Sequence, residues 1–172
     1  MIAIAVPTEE TIEQNTVTET ATKETEFDSE NSPFLKAIVH QIRANDPYGT
    51  YRNWSDALLL KPYILSKKQR REISVEGDVE PLTMGRILGF YRAIAARIEQ
   101  ETNQLAQVVV DLSHEGFGWA LIFSGRLILV SKTLRDAQRF GFDSLEKLDA
   151  EGEALVQKGI QLARKFPEVC DV

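Results

Sequence analysis

The chain reads as one α+β domain, a three-stranded antiparallel meander packed with about five helices. Three observations predict this. Two long segments, from Asp78 to Glu101 and from Asp143 to Phe166, carry apolar residues at helical spacing. Between them, Leu105–Leu112, Trp119–Phe123 and Leu127–Ser131 are short apolar runs, separated by connections bearing Gly116, Gly118 and Gly125, as in successive hairpins. Finally, 172 residues allow one well-filled core rather than two.

Taken in order, residues 1–32 hold eight acids and one lysine, which puts -7 on this segment and leaves +1 for the other 140 residues. With seven threonines and almost nothing apolar after Val6, the segment is expected to be a disordered acidic tail, and residues 33–169 the folded domain. Ser32-Pro33 reads as an N-cap followed by proline at the first helical position. Phe34, Leu35, Ile38, Val39 and Ile42 then mark a helix that Asn45-Asp46-Pro47 ends, with His40 off its apolar stripe. Tyr48–Trp54 is an aromatic loop, from which Asn53 can cap a short helix through Leu60. Ser66-Lys67-Lys68-Gln69 has capping-box spacing, and Arg70–Ile73 is expected to be extended.

The longest helix signal follows. Pro81 fits its first turn, Met84, Ile87, Leu88, Tyr91, Ile94, Ala95 and Ile98 form its stripe, and Asn103 suits its exit. Gly85 and Gly89 lower its propensity and point to the close approach of another backbone. The second and third β runs are apolar on both faces, so helices should cover much of each. Thr133–Arg139 is a short helix stopped at Gly141. The last helix turns Leu145, Leu148, Leu155, Val156, Ile160, Ala163 and Phe166 inward and ends at Pro167.

Composition narrows the function. The nearly neutral body lacks the basic field that nucleic acid requires. A single cysteine, Cys170, forms no internal disulfide and offers no zinc or iron–sulfur spacing, which fits a reducing compartment. The apolar start Met1–Val6 lacks the basic flank and length of a signal peptide, and no stretch nears the ~20 apolar residues of a membrane helix. A cytoplasmic protein with no membrane contact is expected.

Three clusters are candidates for chemistry. His114 and Glu115 lie in Asp111–Gly118, where the sheet turns back; a histidine there can shuttle a proton with Asp111 or Glu115 as partner. The plainer reading is a turn residue whose ring satisfies backbone groups. The basic run Lys61, Lys67, Lys68, Arg70 and Arg71 lies near the aromatic loop containing Trp54 and suits an anion, but Glu72 and Glu76 follow it directly, as on a solvated helical turn. Arg126 in the second hairpin, with Arg135 and Arg139 one helical turn apart, can clamp a carboxylate, or pair structurally with Asp136. The pair Gly116 and Gly118 is no dinucleotide fingerprint, since no helix follows it. No metal-ligand set is apparent, so neither a metal nor a resident cofactor is expected.

Four stretches resemble one family: Asp46–Asp56, Leu112–Gly118, Ser124–Phe142 and Phe166–Val169. The chain is similar to the NifX-associated nitrogen-fixation proteins of diazotrophs over about residues 33–169. The resemblance implies a place in nitrogen fixation, among proteins that assemble nitrogenase and its iron–molybdenum cofactor, with no catalytic or binding residues to carry over. It points to a non-enzymatic accessory factor that binds a nitrogenase component or cofactor-assembly protein, with transient contact to the iron–molybdenum cofactor or a precursor. The candidate surface is His114, Glu115, Arg126, Arg135, Arg139 and Trp54. The alternative is a small enzyme acting on an acidic metabolite, with His114 as acid/base and Arg126 or Arg135 clamping the anion. Exposed sheet edges leave room for a homo-oligomer.

Overall fold

The computed structural model describes residues 27–165 apart from 114–115 and 124–125, and describes no side chains from 109 to 132. The expectations for the tail before Phe27, for His114, Glu115 and Gly125, for the end at Phe166-Pro167 and for Cys170 lie outside the described residues.

The elements run α1 (Pro33–Ala44), α2 (Asp56–Leu60), α3 (Lys67–Glu72), α4 (Pro81–Thr102), β1 (Ala106–Ser113), β2 (Gly116–Phe123), β3 (Arg126–Lys132), α5 (Leu134–Gln138) and α6 (Leu145–Lys165), with 3-10 turns at Ser29–Asn31 and Lys61–Tyr63. The strands pair antiparallel in the order β1-β2-β3, Val108 opposite Leu121 and Trp119 opposite Val130. The expected fold class, α+β with a three-stranded antiparallel meander packed with about five helices, needs correcting, because the body is mainly helical, with six α-helices among the described residues. Its core is filled by α1, α4 and α6, and among described side chains the strands add only Ala106 and Val108. The physical reason is length: α4 and α6 run six and nearly six turns and offer long stripes, so helix-on-helix packing dominates burial. Whether helices cover both sheet faces falls on side chains outside the described residues.

Helix α4 is the axis. It buries Ile87, Phe90, Tyr91, Ala93, Ile94, Ala95 and Ile98 and packs against α1, α6, α5 and β1. Proline sits in its first turn, where the missing N–H is harmless, and Asn103 ends it in the left-handed region at φ 57°. Helix α6 comes close enough to α1 that a Cβ on Gly152 would lie 2.1 Å from the Phe34 ring. The buried Arg97 guanidinium pairs with Glu153, fixing α4 against α6, and Glu99 accepts from Ala106 N–H at 2.7 Å, turning the chain into β1.

Local chemistry sets the boundaries. Ser32 Oγ accepts from Leu35 N–H at 3.0 Å and donates to Asp149 of α6, so it caps one helix while tying it to another. Residues 27–32, assigned to the tail from sequence, belong to the body here: Phe27 packs on the core and Asp28 caps the 3-10 turn. Ser55, not Asn53, caps α2. The Ser66/Gln69 capping box is present, and it carries the helix through Glu72, so Arg70–Glu72 is helical rather than extended. Gly89 makes room for the Tyr63 hydroxyl, which donates to Arg86 O at 2.9 Å, while a Cβ on Gly85 would meet nothing; no second backbone approaches either. The turn between β1 and β2 is also tighter than Asp111–Gly118, since Ser113 already pairs with Gly116.

Two substitutions test this packing. Gly152→Ala pushes a methyl group into the buried Phe34 ring and should destabilise the protein by about 1–3 kcal/mol in urea unfolding. Ser32→Ala removes the cap and the tie to Asp149 and should cost ~1–2 kcal/mol. Wild-type midpoints for both would show that α1 and α6 are not held in this way.

Candidate functional site

A short parallel contact between distant segments builds the main cavity. Ile64 bridges to Phe142; Leu65 N–H donates to Phe142 O and Phe142 N–H to Tyr63 O, both at 2.8 Å. This sets α3 beside the chain leaving α5. Arg70 of α3 then donates to Leu65 O (2.8 Å), Gly141 O (3.2 Å) and Asp143 Oδ1 (2.9 Å). From the other side, Arg139 donates to Arg71 O at 3.1 Å and to Ile73 O at 3.2 and 3.3 Å, and Gln138 Nε2 to Gly77 O at 2.9 Å. Each guanidinium satisfies carbonyls that helix ends and turns leave open.

The result is a groove of about 950 Å³ between α3, the segment Asp136–Phe142 and α6. Phe90, Tyr91, Phe140 and Phe142 supply its aromatic lining, and Lys67, Arg71 and Lys158 its remaining cations, with the acids Asp136 and Glu151. A second hollow of about 510 Å³ shares Lys67, Arg70 and Glu151 and extends to Asp143 and Lys147. The ion pairs among the described residues are Arg43–Asp56, Arg70–Asp143, Arg97–Glu153 and Lys147–Asp143, so Lys67, Arg71 and Lys158 take part in none of them. Burial, reinforced by Glu151, pushes the Tyr91 hydroxyl up, so it stays protonated and neutral. The hydrogen bond from Lys147, with the Arg70 charge, holds the Asp143 carboxyl below its ordinary value.

The structure regroups the residues singled out from sequence. Lys67, Arg70 and Arg71 meet Asp136 and Arg139 across about seventy residues of chain, joining two clusters that the sequence kept apart. Their aromatic neighbours are Phe90, Tyr91, Phe140 and Phe142, not the 48–54 loop. Arg139 reaches the groove but is engaged in holding the 71–73 backbone. Arg135 is exposed on α5 and does not line it. Trp54 is 41% exposed, packs edge-on to Tyr51 at 4.9 Å and lines a different cleft. Arg126 opposes Phe123 in the β2–β3 ladder, its side chain outside the described residues like His114 and Glu115. Lys158 and Glu151 were missed because they read as the solvated face of α6. No group of three His, Cys, Asp or Glu among the described residues could hold a metal ion, and no described helix is long and apolar enough to cross a membrane.

Acid should loosen this corner. The Asp143 pKa is lower folded than unfolded, so its contribution is complete above the ordinary aspartate value of about 4 and is lost as pH falls through the folded value. Asp143→Asn should remove part of the stability change between pH 5 and pH 2; an unchanged pH profile would deny the pairing.

Residues 51–171 match the family described as "Protein of unknown function, DUF269". A Frankia alni protein, "UPF0460 protein in nifX-nifW intergenic region", is 43% identical over 141 residues, 82% of this chain and 96% of the relative. A Rhodobacter capsulatus protein, "UPF0460 protein in nifX 3'region", is 37% identical over 137 residues, 80% of this chain and 88% of its own length. Among solved structures, a protein of the cyanobacterium Cyanothece 51142, described as associated with nitrogen fixation and from the DUF269 family, is 53% identical with a TM-score of 0.76, covering 90% of this chain and 99% of that one. The chain belongs to the DUF269 family, whose relatives include proteins of nifX regions.

Proposed function

We propose that the protein is a non-enzymatic accessory factor of nitrogen fixation that acts in nitrogenase or iron–molybdenum cofactor maturation. It binds an acidic surface of a nitrogenase component or cofactor-assembly protein along the groove edged by Lys67, Arg71 and Lys158. The observation that carries this reading is a division of labour among cations. Arg70 and Arg139 are held by backbone carbonyls and Asp143, whereas Lys67, Arg71 and Lys158 enter no ion pair among the described residues and edge an aromatic-lined groove. Solvated cations beside aromatic surface suit an acidic partner, because an incoming carboxylate gains charge-assisted contacts without displacing an internal pair. The nifX-region location of the relatives supports the pathway.

Affinity capture from a nitrogen-fixing host tests it, with wild type compared to the Lys67→Glu/Arg71→Glu/Lys158→Glu variant. Wild type should co-elute with a nitrogenase component or cofactor-assembly protein. At roughly 0.2–1 kcal/mol per exposed charge contact, and more for reversal, the variant should lose about tenfold or more in affinity with its melting temperature unchanged. Arg139→Ala should instead lower stability, since it releases the 71–73 backbone. Recovery of housekeeping proteins alone, or equal capture by wild type and variant, would overturn the proposal.

A further inference from the structure

A separate cleft, about 450 Å³, lies between α1, the 46–55 loop and the first half of α4. Among the described residues its charged lining is Arg86 and Arg92, with no carboxylate. Its walls are apolar and aromatic: Tyr51, Trp54, Pro62 and Leu82, the last 75% exposed. A cavity of this size with apolar walls and a few polar groups is the usual form of a small-molecule site.

Arg86 is unusually placed. Its Nη2 donates to Thr83 Oγ1 at 3.1 Å, but among the described residues its buried Nε has no hydrogen-bond partner and it enters no ion pair. A half-buried guanidinium is costly, and here the Glu80 charge offsets its burial only in part. Burial weakens its hold on the proton, while the Tyr63 hydroxyl and the Glu80 carboxylate strengthen it to a smaller extent.

The walls are preorganised. Asp46 accepts from Thr50 N–H at 2.8 Å and Tyr51 N–H at 2.7 Å, and Arg43 donates to Trp54 O at 3.0 Å, so the loop is fixed while its Trp54 ring stays partly open. Gly85 gives an independent indication. Glycine within a helix lowers helix propensity relative to alanine, yet a Cβ at Gly85 would meet nothing within 4 Å, so no internal contact demands it. It lines the cleft, and what its missing side chain provides there is space.

We infer that this cleft binds a small aromatic carboxylate, its flat apolar body against Tyr51, Trp54 and Leu82 and its acid on Arg86 and Arg92. A carboxylate fits the guanidinium fork and carries one charge, whereas a doubly charged phosphate would lose far more hydration in a cleft with these walls. The site is separate from the groove of Lys67, Arg71 and Lys158, so the two readings stand or fall independently.

Calorimetric titration of the full chain with 1-naphthoate, and with 1-naphthamide as the neutral match, tests it. Wild type should bind naphthoate at least about tenfold more tightly than the amide. Arg92→Ala, an exposed residue with no ion pair among those described, should weaken naphthoate about tenfold while leaving amide binding and melting temperature unchanged. Gly85→Leu should abolish binding of both by filling the cleft, and Gly85→Ala should raise the melting temperature, which shows that the position tolerates a side chain. No naphthoate binding to wild type, equal affinity for acid and amide, or unimpaired binding by Gly85→Leu would overturn the inference.

Discussion

One ring organises this molecule. Phe90, at the middle of α4, meets Phe34 of α1 at 5.4 Å, Tyr91 at 5.0 Å, and Phe140 and Phe142 at 5.4 Å each, mostly edge to face. Such pairs contribute about 0.5–1.5 kcal/mol each beyond the area they bury. Their larger consequence is geometric, because they bring together segments that share no hydrogen-bond ladder. Phe34 in turn occupies the space left by Gly152, so the same ring sets how closely α6 approaches. Phe140 and Phe142 carry the chain from α5 past the Ile64 bridge and into the groove wall.

The groove is therefore a by-product of core packing that charged side chains then stiffen. Arg70 and Arg139 are tied to carbonyls at the ends of short elements, which α3 and α5 cannot satisfy internally at six and five residues. An arginine does this well, since one fork reaches several acceptors in fixed directions. Lysine has no such fork, and Lys67 and Lys158 remain at the edge of the cavity. The distinction between cations that shape the groove and those left unpaired among the described residues rests on hydrogen-bond partners rather than on charge or position in sequence.

Where local chemistry decides, the sequence is readable. Ser32-Pro33, the Ser66/Gln69 box, Thr133 before α5 and Asn103 after α4 each announce an element boundary through one side chain or one backbone angle. Where distant packing decides, it is not. Nothing near Ile64 signals a partner at Phe142, and nothing near Arg139 signals that it holds residue 73. The meander carries too much weight in the sequence for a related reason: apolar runs of strand length announce themselves clearly, while the dominance of α4 and α6 emerges only when their stripes are stacked. Trp54 and the pair Gly85 and Gly89 stand out in the sequence, but their common cleft depends on a loop folding back across α4. His114 and Glu115, the most chemically suggestive pair in the chain, lie outside the described residues.

The central claim is that the groove's lysines are kept for a partner. Lysine acylation footprinting, read by mass spectrometry on protein in nitrogen-fixing cells and on the same protein purified, tests it whatever the identity of that partner. Lys67 and Lys158 should be protected in the cells and reactive when purified, while exposed Lys61, away from the groove, reacts equally in both. Equal reactivity of Lys67 and Lys158 in the two samples would contradict the account.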